Sequence, residues 1–227
     1  MNTYTKPDLS QTVEWPPEKP ILRSYSQYGE DCLIFHFFYM HTKIENGTYL
    51  DIGAFDPVKY SNTFLLHKHG WSGINIDVAP SRIAQFRIAR PNDHNVLCAI
   101  GDTDGELQIF DHPHWPTSTT VDKAVAARTG ATPGGVVASR RLGPLLEELS
   151  VDHIDYVNID VEGFEMKVLT GFEPNDYGVS LFTIELLTQD INTILNSRLY
   201  AYMRDRGYGL CGWTGWTLFF RSASLEV

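Results

Sequence analysis

The chain has no run of about 18 apolar residues, the length a membrane-spanning helix needs, so no stretch of it is expected to cross a bilayer. Its first residues, MNTYTKPDLSQT, lack the apolar core of a signal peptide, and the expectation is a cytoplasmic protein. Cysteine is scarce: Cys32, Cys98 and Cys211 are far apart and form no CxxC pair, which excludes a thiolate metal knuckle and a disulfide frame and suits reduced core thiols. Positive charge is short as well. Eighteen Lys and Arg against 28 Asp and Glu leave a net charge of −10, which argues against nucleic acid or an anionic membrane as partner. No internal repeat is present. A dinucleotide fingerprint is missing too: Gly53 is followed by Ala54, Phe55, Asp56, Pro57 and Val58 where GxGxxG would need further glycines, so a pyrophosphate cradle is not expected.

What is present is a 227-residue chain, 43% hydrophobic and 12% aromatic, sufficient for one α/β domain with a sizeable core. Residues 1–24 are polar and carry Pro7, Pro16, Pro17 and Pro20; they read as an extended arm that either packs loosely or lies against a neighbour, the latter giving a homo-oligomer. Residues 25–227 read as the domain. Ser26 is placed to cap a first helix carrying Leu33, Ile34, Phe37 and Phe38 and ending near His41. Short apolar strands then alternate with helices. Strands are expected at Tyr49–Ile52, Gly73–Asp77, Val96–Ile100, Ile154–Asp160 and Val179–Glu185, with a short antiparallel addition at Gly105–Phe110 and a further strand at Val136–Arg140. Residues 111–135 read as a long loop, and 192–206 as one helix. Two aromatic strands, Tyr208–Trp213 and Thr217–Phe220, close the chain as an antiparallel edge pair, with Trp213 and Trp216 read as edge packing. This pattern implies a doubly wound, mostly parallel sheet with covered faces.

Five strands end on, or one step past, a carboxylate: Asp51, Asp77, Asp102, Asp160 and Glu185. Ligands bind outside the carboxyl ends of strands in open parallel sheets, so these acids should line one rim. Asp77 follows Asp51 by 26 residues, close to the roughly 20-residue offset that grips a ribose diol. Asp102 is placed to accept from an adenine amino group, and Asp51 with the Gly53 turn to meet a cationic amino-acid tail. An adenosyl ligand bearing an ammonium and a sulfonium fits such a rim better than a pyrophosphate.

The segments SQYGED (Ser26–Asp31), YLDIGAFDPVKYSNT (Tyr49–Thr63), GINID (Gly73–Asp77), AIGD (Ala99–Asp102) and IDYVNIDVEGFE (Ile154–Glu165) occur in this order, and the chain resembles the FkbM family of S-adenosylmethionine-dependent methyltransferases from Ser26 to Arg221. The resemblance implies a Rossmann-like class I methyltransferase fold, a seven-stranded mostly parallel sheet with an antiparallel final strand pair, and O-methylation of a small molecule. Carried over residue by residue, it puts Gln27, Asp51, Gly53, Asp56, Ser61, Asn62, Asp77 and Asp102 around S-adenosyl-L-methionine. Asp77 stands where the family more often has glutamate, and Phe55 and Pro57 depart from a glycine-rich turn.

Methyl transfer to a hydroxyl needs in-line alignment and removal of a proton. Asp160, Glu162 and Glu185 are the candidates for that base or for orienting the acceptor; for Glu162 the competing role is capping of the helix that follows. Acids in such a group can also hold Mg²⁺, but nothing in the spacing requires it, and no metal is assigned. Lys123, Arg128, Arg140 and Arg141 either meet a nucleotide-sugar diphosphate or are solvated surface. The favoured acceptor is a sugar or nucleotide-sugar or glycan precursor. A polyketide or peptide natural product is the alternative, and a non-catalytic adenosyl-binding module the alternative of another class.

Overall fold

The computed structural model describes residues 22–115 and 118–225. Most of the expected arm lies outside them. The strands are β1 (Thr48–Ile52), β2 (Ser72–Asp77), β3 (His94–Leu97), β4 (Ala99–Ile100), β5 (Gly105–Asp111), β6 (Thr132–Arg140), β7 (Tyr156–Ile159), β8 (Leu181–Glu185), β9 (Tyr208–Thr214) and β10 (Thr217–Ser222). Seven of them form one sheet in the order β3-β2-β1-β7-β8-β10-β9, and β4, β6 and β5 form a second. In the large sheet β3, β2, β1, β7 and β8 are parallel, and β10 runs antiparallel between β8 and β9. The strand order reverses at β1, which pairs with β2 on one side and β7 on the other. That reversal makes the crevice where open α/β sheets take their ligands.

The helices are α1 (Glu30–Phe37), α2 (Phe64–Lys68), α3 (Pro80–Ala89), α4 (Lys123–Thr129), α5 (Leu142–Glu148), α6 (Glu165–Thr170), α7 (Ile191–Leu195) and α8 (Arg198–Asp205). A π-helical turn, Phe38–Thr42, extends α1. Two apolar layers cover the sheet. One gathers Leu50, Ile52, Val157, Ile159, Phe182 and Ile184 with Leu145, Leu146, Val168 and Leu199; the other packs Ile34 and Phe38 on Tyr49, Trp71, Tyr156 and Phe219. Strand residues thus alternate between faces as the two-residue period requires, and both faces are apolar because both are covered.

Four expectations change. The strand read across Val96–Ile100 is two: β3 ends at Leu97, and β4 leaves the main sheet to pair in parallel with Ser139–Arg140 of β6. The long loop read at 111–135 contains α4, capped by Asp122, whose side chain accepts from Ala124 N (2.7 Å) and Val125 N (3.0 Å), and ended by Gly130 at φ 76°. The single helix read at 192–206 is broken at Asn196, and Ser197 caps α8 by accepting from Tyr200 N. At the start of the domain Gly29, at φ 89°, occupies the α1 cap position instead of Ser26. Ser26 Oγ stays close, accepting from Gly29 N (3.1 Å) and Asp31 N (3.3 Å).

Candidate active site

β1 ends against β7, and the chain must turn immediately. Gly53 (φ 84°) makes that turn, and a Cβ there would overlap the carbonyl oxygen of Asp160. Gly53 N and Ala54 N both donate to Ile76 O of β2 (2.9 and 3.1 Å), so the turn is stitched to that strand. Phe55 follows at φ 55°, a left-handed conformation uncommon for a non-glycine residue, and Glu162 in the turn after β7 has φ 53°. Strained backbone of this kind clusters where side chains must be aimed at a ligand.

Above these turns opens a cavity of about 560 Å³, within the range of ligand pockets. Gln27, Asp51, Gly53, Ser61, Asn62, Asp77, Asp160, Glu162 and Glu185 all line it. Four of the five strand-end acids therefore share one rim. Asp102 does not: because β4 departs from the main sheet, its carboxylate is half exposed and faces Lys167 Nζ at 3.8 Å. Asp56 is also outside the lining; its Oδ1 accepts from Val58 N (2.8 Å) and Lys59 N (2.7 Å), closing the turn. Neither residue lines the cavity.

Asp51 is buried, with Oδ2 accepting from the Thr63 hydroxyl (2.7 Å) and Oδ1 from Asn158 Nδ2 (2.8 Å). Burial pushes its carboxyl above the ordinary range, and these two hydrogen bonds oppose the shift. Asn158 Oδ1 in turn accepts from Thr183 Oγ1 (2.7 Å) and Asn62 Nδ2 (3.0 Å). The floor is thus one connected polar network crossing β1, β7 and β8. Behind it lies Arg90, fully buried, which the sequence reading missed. Its Nη1 donates to Tyr49 Oη, Thr63 Oγ1 and Asn75 Oδ1, and its Nη2 to Pro57 O and Ser61 Oγ. The guanidinium ties the Pro57–Thr63 segment to β1 and β2. Removing it strands several buried acceptors, so Arg90→Met is expected to cost about 3–5 kcal/mol. Thermal unfolding should show Tm lower by about 6–20 °C for a chain of this size.

Asp77 accepts from Phe55 N (3.0 Å) and Ala79 N (2.8 Å) and forms an ion pair with Arg82 Nη1 at 3.2 Å. Arg82 also lies over the Phe55 ring, 4.7 Å from its centroid, and donates to Thr119 Oγ1. Each carboxylate oxygen thus accepts twice, Oδ1 from Ala79 N and Arg82 Nη1 and Oδ2 from Phe55 N and Arg82 Nη1, which fills its four lone-pair sites.

The other end of the cavity is acidic. Asp160, Glu162 and Glu185 present carboxylate oxygens within 4.8 Å of one another. Burial, and then repulsion among the neighbouring carboxylates, push the Asp160 and Glu185 carboxyls strongly upward, so the pair favours holding a proton. Glu185 Oε2 is buried with no hydrogen-bond partner among the described residues. Glu162 is raised by burial and by Glu165. The capping role considered for Glu162 is not taken up, since α6 has no side-chain cap; instead Glu162 O accepts from Thr120 Oγ1 at 2.9 Å. A Cβ on Gly163 would meet Val125 of α4. The inserted α4 region thus braces the turn that carries the acids.

The SQYGED segment closes the mouth. Asp31, fully buried, accepts from Ser24 Oγ, Tyr25 N and Ser26 Oγ, and Glu30 accepts from Tyr28 N. These acids serve the loop's shape and leave Gln27 and Tyr28 facing the cavity. Trp216, read from sequence as edge packing, lines it too. No sequence signal separates a rim tryptophan from an edge one, because the hairpin that carries it gains its place only through pairing with β8.

A parallel sheet reversing at β1, a reversed β10 between β8 and β9, and a cavity over the strand ends define a class I, Rossmann-like methyltransferase fold. The family model described as methyltransferase FkbM domain matches residues 51–210, and the chain belongs to the FkbM family of S-adenosylmethionine-dependent methyltransferases. Among solved structures, methyltransferase FkbM from Methylobacillus flagellatus KT is similar at a TM-score of 0.52 and 12% identity, over 87% of this chain and 48% of that one. The chain therefore spans about half the length of that protein. No curated protein matches it.

Proposed function

We propose that the chain transfers a methyl group from S-adenosylmethionine to a hydroxyl of a carbohydrate acceptor, with Asp160, Glu162 and Glu185 at the reacting end of the cavity. The observation that carries this reading is the convergence of those three carboxylates beside the switch-point cavity of a methyltransferase fold. The residues suit the cofactor's chemistry. Asp51 and Asp77 supply negative charge toward an ammonium and a ribose diol, while Val78, Ala99, Ile100 and Phe164 offer an apolar wall for an adenine. Gln27, Gly53, Ser61 and Asn62 complete that half. Asp56 and Asp102 drop out of the assignment on their placement.

When bound, the cofactor supplies a methyl group already activated by a sulfonium. The protein's task is alignment and proton removal. Asp160 and Glu185, sharing a proton, hydrogen bond the acceptor and hold it in line, and Glu162 takes the proton of the reacting hydroxyl. A carboxyl raised toward neutrality is a better base for this step than an ordinary one. The same three oxygens are also close enough to share a divalent cation, which is the second reading, favoured by the unpartnered Glu185 oxygen.

The test is transfer of label from methyl-labelled S-adenosylmethionine into a panel of glycosides, nucleotide sugars and polyketide alcohols, with and without EDTA, alongside calorimetry with S-adenosylhomocysteine. Labelled carbohydrate is expected. Label confined to polyketide alcohols would move the acceptor class. Cofactor binding without any turnover would favour a non-catalytic adenosyl-binding module, and loss of turnover with EDTA would favour the cation.

A further inference from the structure

We infer that the indole of Trp216, braced by Tyr28, is the platform on which the acceptor's sugar ring stacks, and that the ring seated there carries no phosphate. The inference rests on the carbohydrate methyl-transfer reading above and specifies its acceptor.

The register of the sheet positions the platform. Thr217 of β10 is the partner of Glu185 on β8, and Leu186 N donates to Trp216 O at 2.8 Å. Trp216 therefore stands on the rim beside the strand end that carries Glu185. Its ring meets that of Tyr28 edge to face, with centroids 6.0 Å apart and planes at 85°. Such a contact covers at most one face of each ring, and Trp216 remains 38% exposed and Tyr28 48%. Exposed aromatics of this size at a cavity mouth are placed to meet a partner.

The pair is also fixed in place. Thr214 Oγ1 donates to Tyr28 O, and Gly215, at φ 56°, lies so close to the Tyr28 ring that a Cβ there would overlap it. The β9–β10 hairpin tip is thus fitted around Tyr28, whose backbone N–H the buried Glu30 holds from the other side, while Asp31 anchors the preceding Tyr25 and Ser26. A rigid aromatic surface next to a group of carboxylates matches the two-sided chemistry of a pyranose. Its C–H face carries weakly positive hydrogens that suit the negative face of an indole, and its hydroxyls donate to carboxylates.

Charge argues for a ring without phosphate. Arg82 is the one lysine or arginine among the described residues lining the cavity, and it is engaged by Asp77. Arg140 pairs with Glu148 and Arg141 with Asp104, and neither they nor Lys123 and Arg128 belong to the lining. A phosphate on the stacked ring would face Asp160, Glu162 and Glu185, and among the described residues of the lining only Arg82, already paired with Asp77, stands against that repulsion. The acceptor is therefore a glycoside or glycan terminus, in preference to a nucleotide sugar.

Steady-state transfer would be measured for the parent, Trp216→Ala and Trp216→Phe, using methyl glycosides of mannose, galactose and rhamnose and the matching nucleotide sugars, with S-adenosylhomocysteine affinity by calorimetry. Trp216→Ala is expected to raise KM for the accepted glycoside about five- to tenfold. Trp216→Phe should restore most of that, the cofactor-product affinity should stay within about twofold, and nucleotide sugars should be poorer acceptors than glycosides. An unchanged KM in both variants, or a preference for nucleotide sugars, overturns the inference while leaving the carbohydrate reading intact. If no carbohydrate is methylated although S-adenosylhomocysteine binds, the carbohydrate reading itself fails, and the platform with it.

Discussion

Gly53→Ala is expected to yield a protein that unfolds about 4–24 °C below the parent and no longer binds S-adenosylhomocysteine. The added methyl has nowhere to go, because it would overlap the Asp160 carbonyl, and the φ of 84° is unfavourable for any side chain. The left-handed backbone costs about 1–3 kcal/mol and the overpacking about 1–3 kcal/mol more, a large share of a margin of about 5–15 kcal/mol. Relief is blocked from both sides: Gly53 N is bonded to Ile76 O, and Asp160 N to Ile52 O at 2.9 Å. Any adjustment therefore moves the strand end that carries Asp160. Thermal unfolding followed by circular dichroism, with calorimetry on whatever folds, checks the result. A variant melting within about 2 °C of the parent would show that the turn tolerates the methyl.

Glu162→Gln should slow methyl transfer about 10²–10⁴-fold, the span that a positioned general base supplies, with S-adenosylhomocysteine affinity retained. The parent's kcat should climb with pH, because the base works only after losing its proton and burial raises the point at which that happens. A parent profile that falls at low pH no more than that of Glu162→Gln would remove Glu162 from the role. The neighbouring pair makes an opposite statement about stability. Asp160 and Glu185 have folded-state pKa values raised above the unfolded ones. Their contribution is thus fully favourable below the unfolded carboxylate pKa and is lost as pH rises through the raised values. Glu185→Gln should accordingly lift the Tm of the ligand-free protein, most visibly at alkaline pH, while reducing turnover. Carboxylates crowded together in a buried place destabilise the fold unless a positive charge offsets them.

The strand-end acids show how far local pattern reaches. Asp51, Asp77, Asp160 and Glu185 were legible as a rim because parallel strands with covered faces place their carboxyl ends together whatever the intervening loops do. Asp102 broke the pattern for a reason no single segment displays. Whether Ala99 and Ile100 continue β3 or turn away depends on β6, which begins more than thirty residues later and offers them Ser139 and Arg140 as partners. α4 was readable in principle from Asp122 and Gly130 at its ends, yet surrounding prolines and threonines masked it.

The sequence by itself determined the alternation of strands and helices, the glycine turn after the first strand and the family, since each rests on residues close together in the chain. Tertiary structure alone decided that Arg90 would sit buried behind the cavity, that Arg82 would engage Asp77, and that Trp216 would stand on the rim with Tyr28. Those relations join residues far apart in sequence, through register and packing, and short-range periodicity contains no term for either.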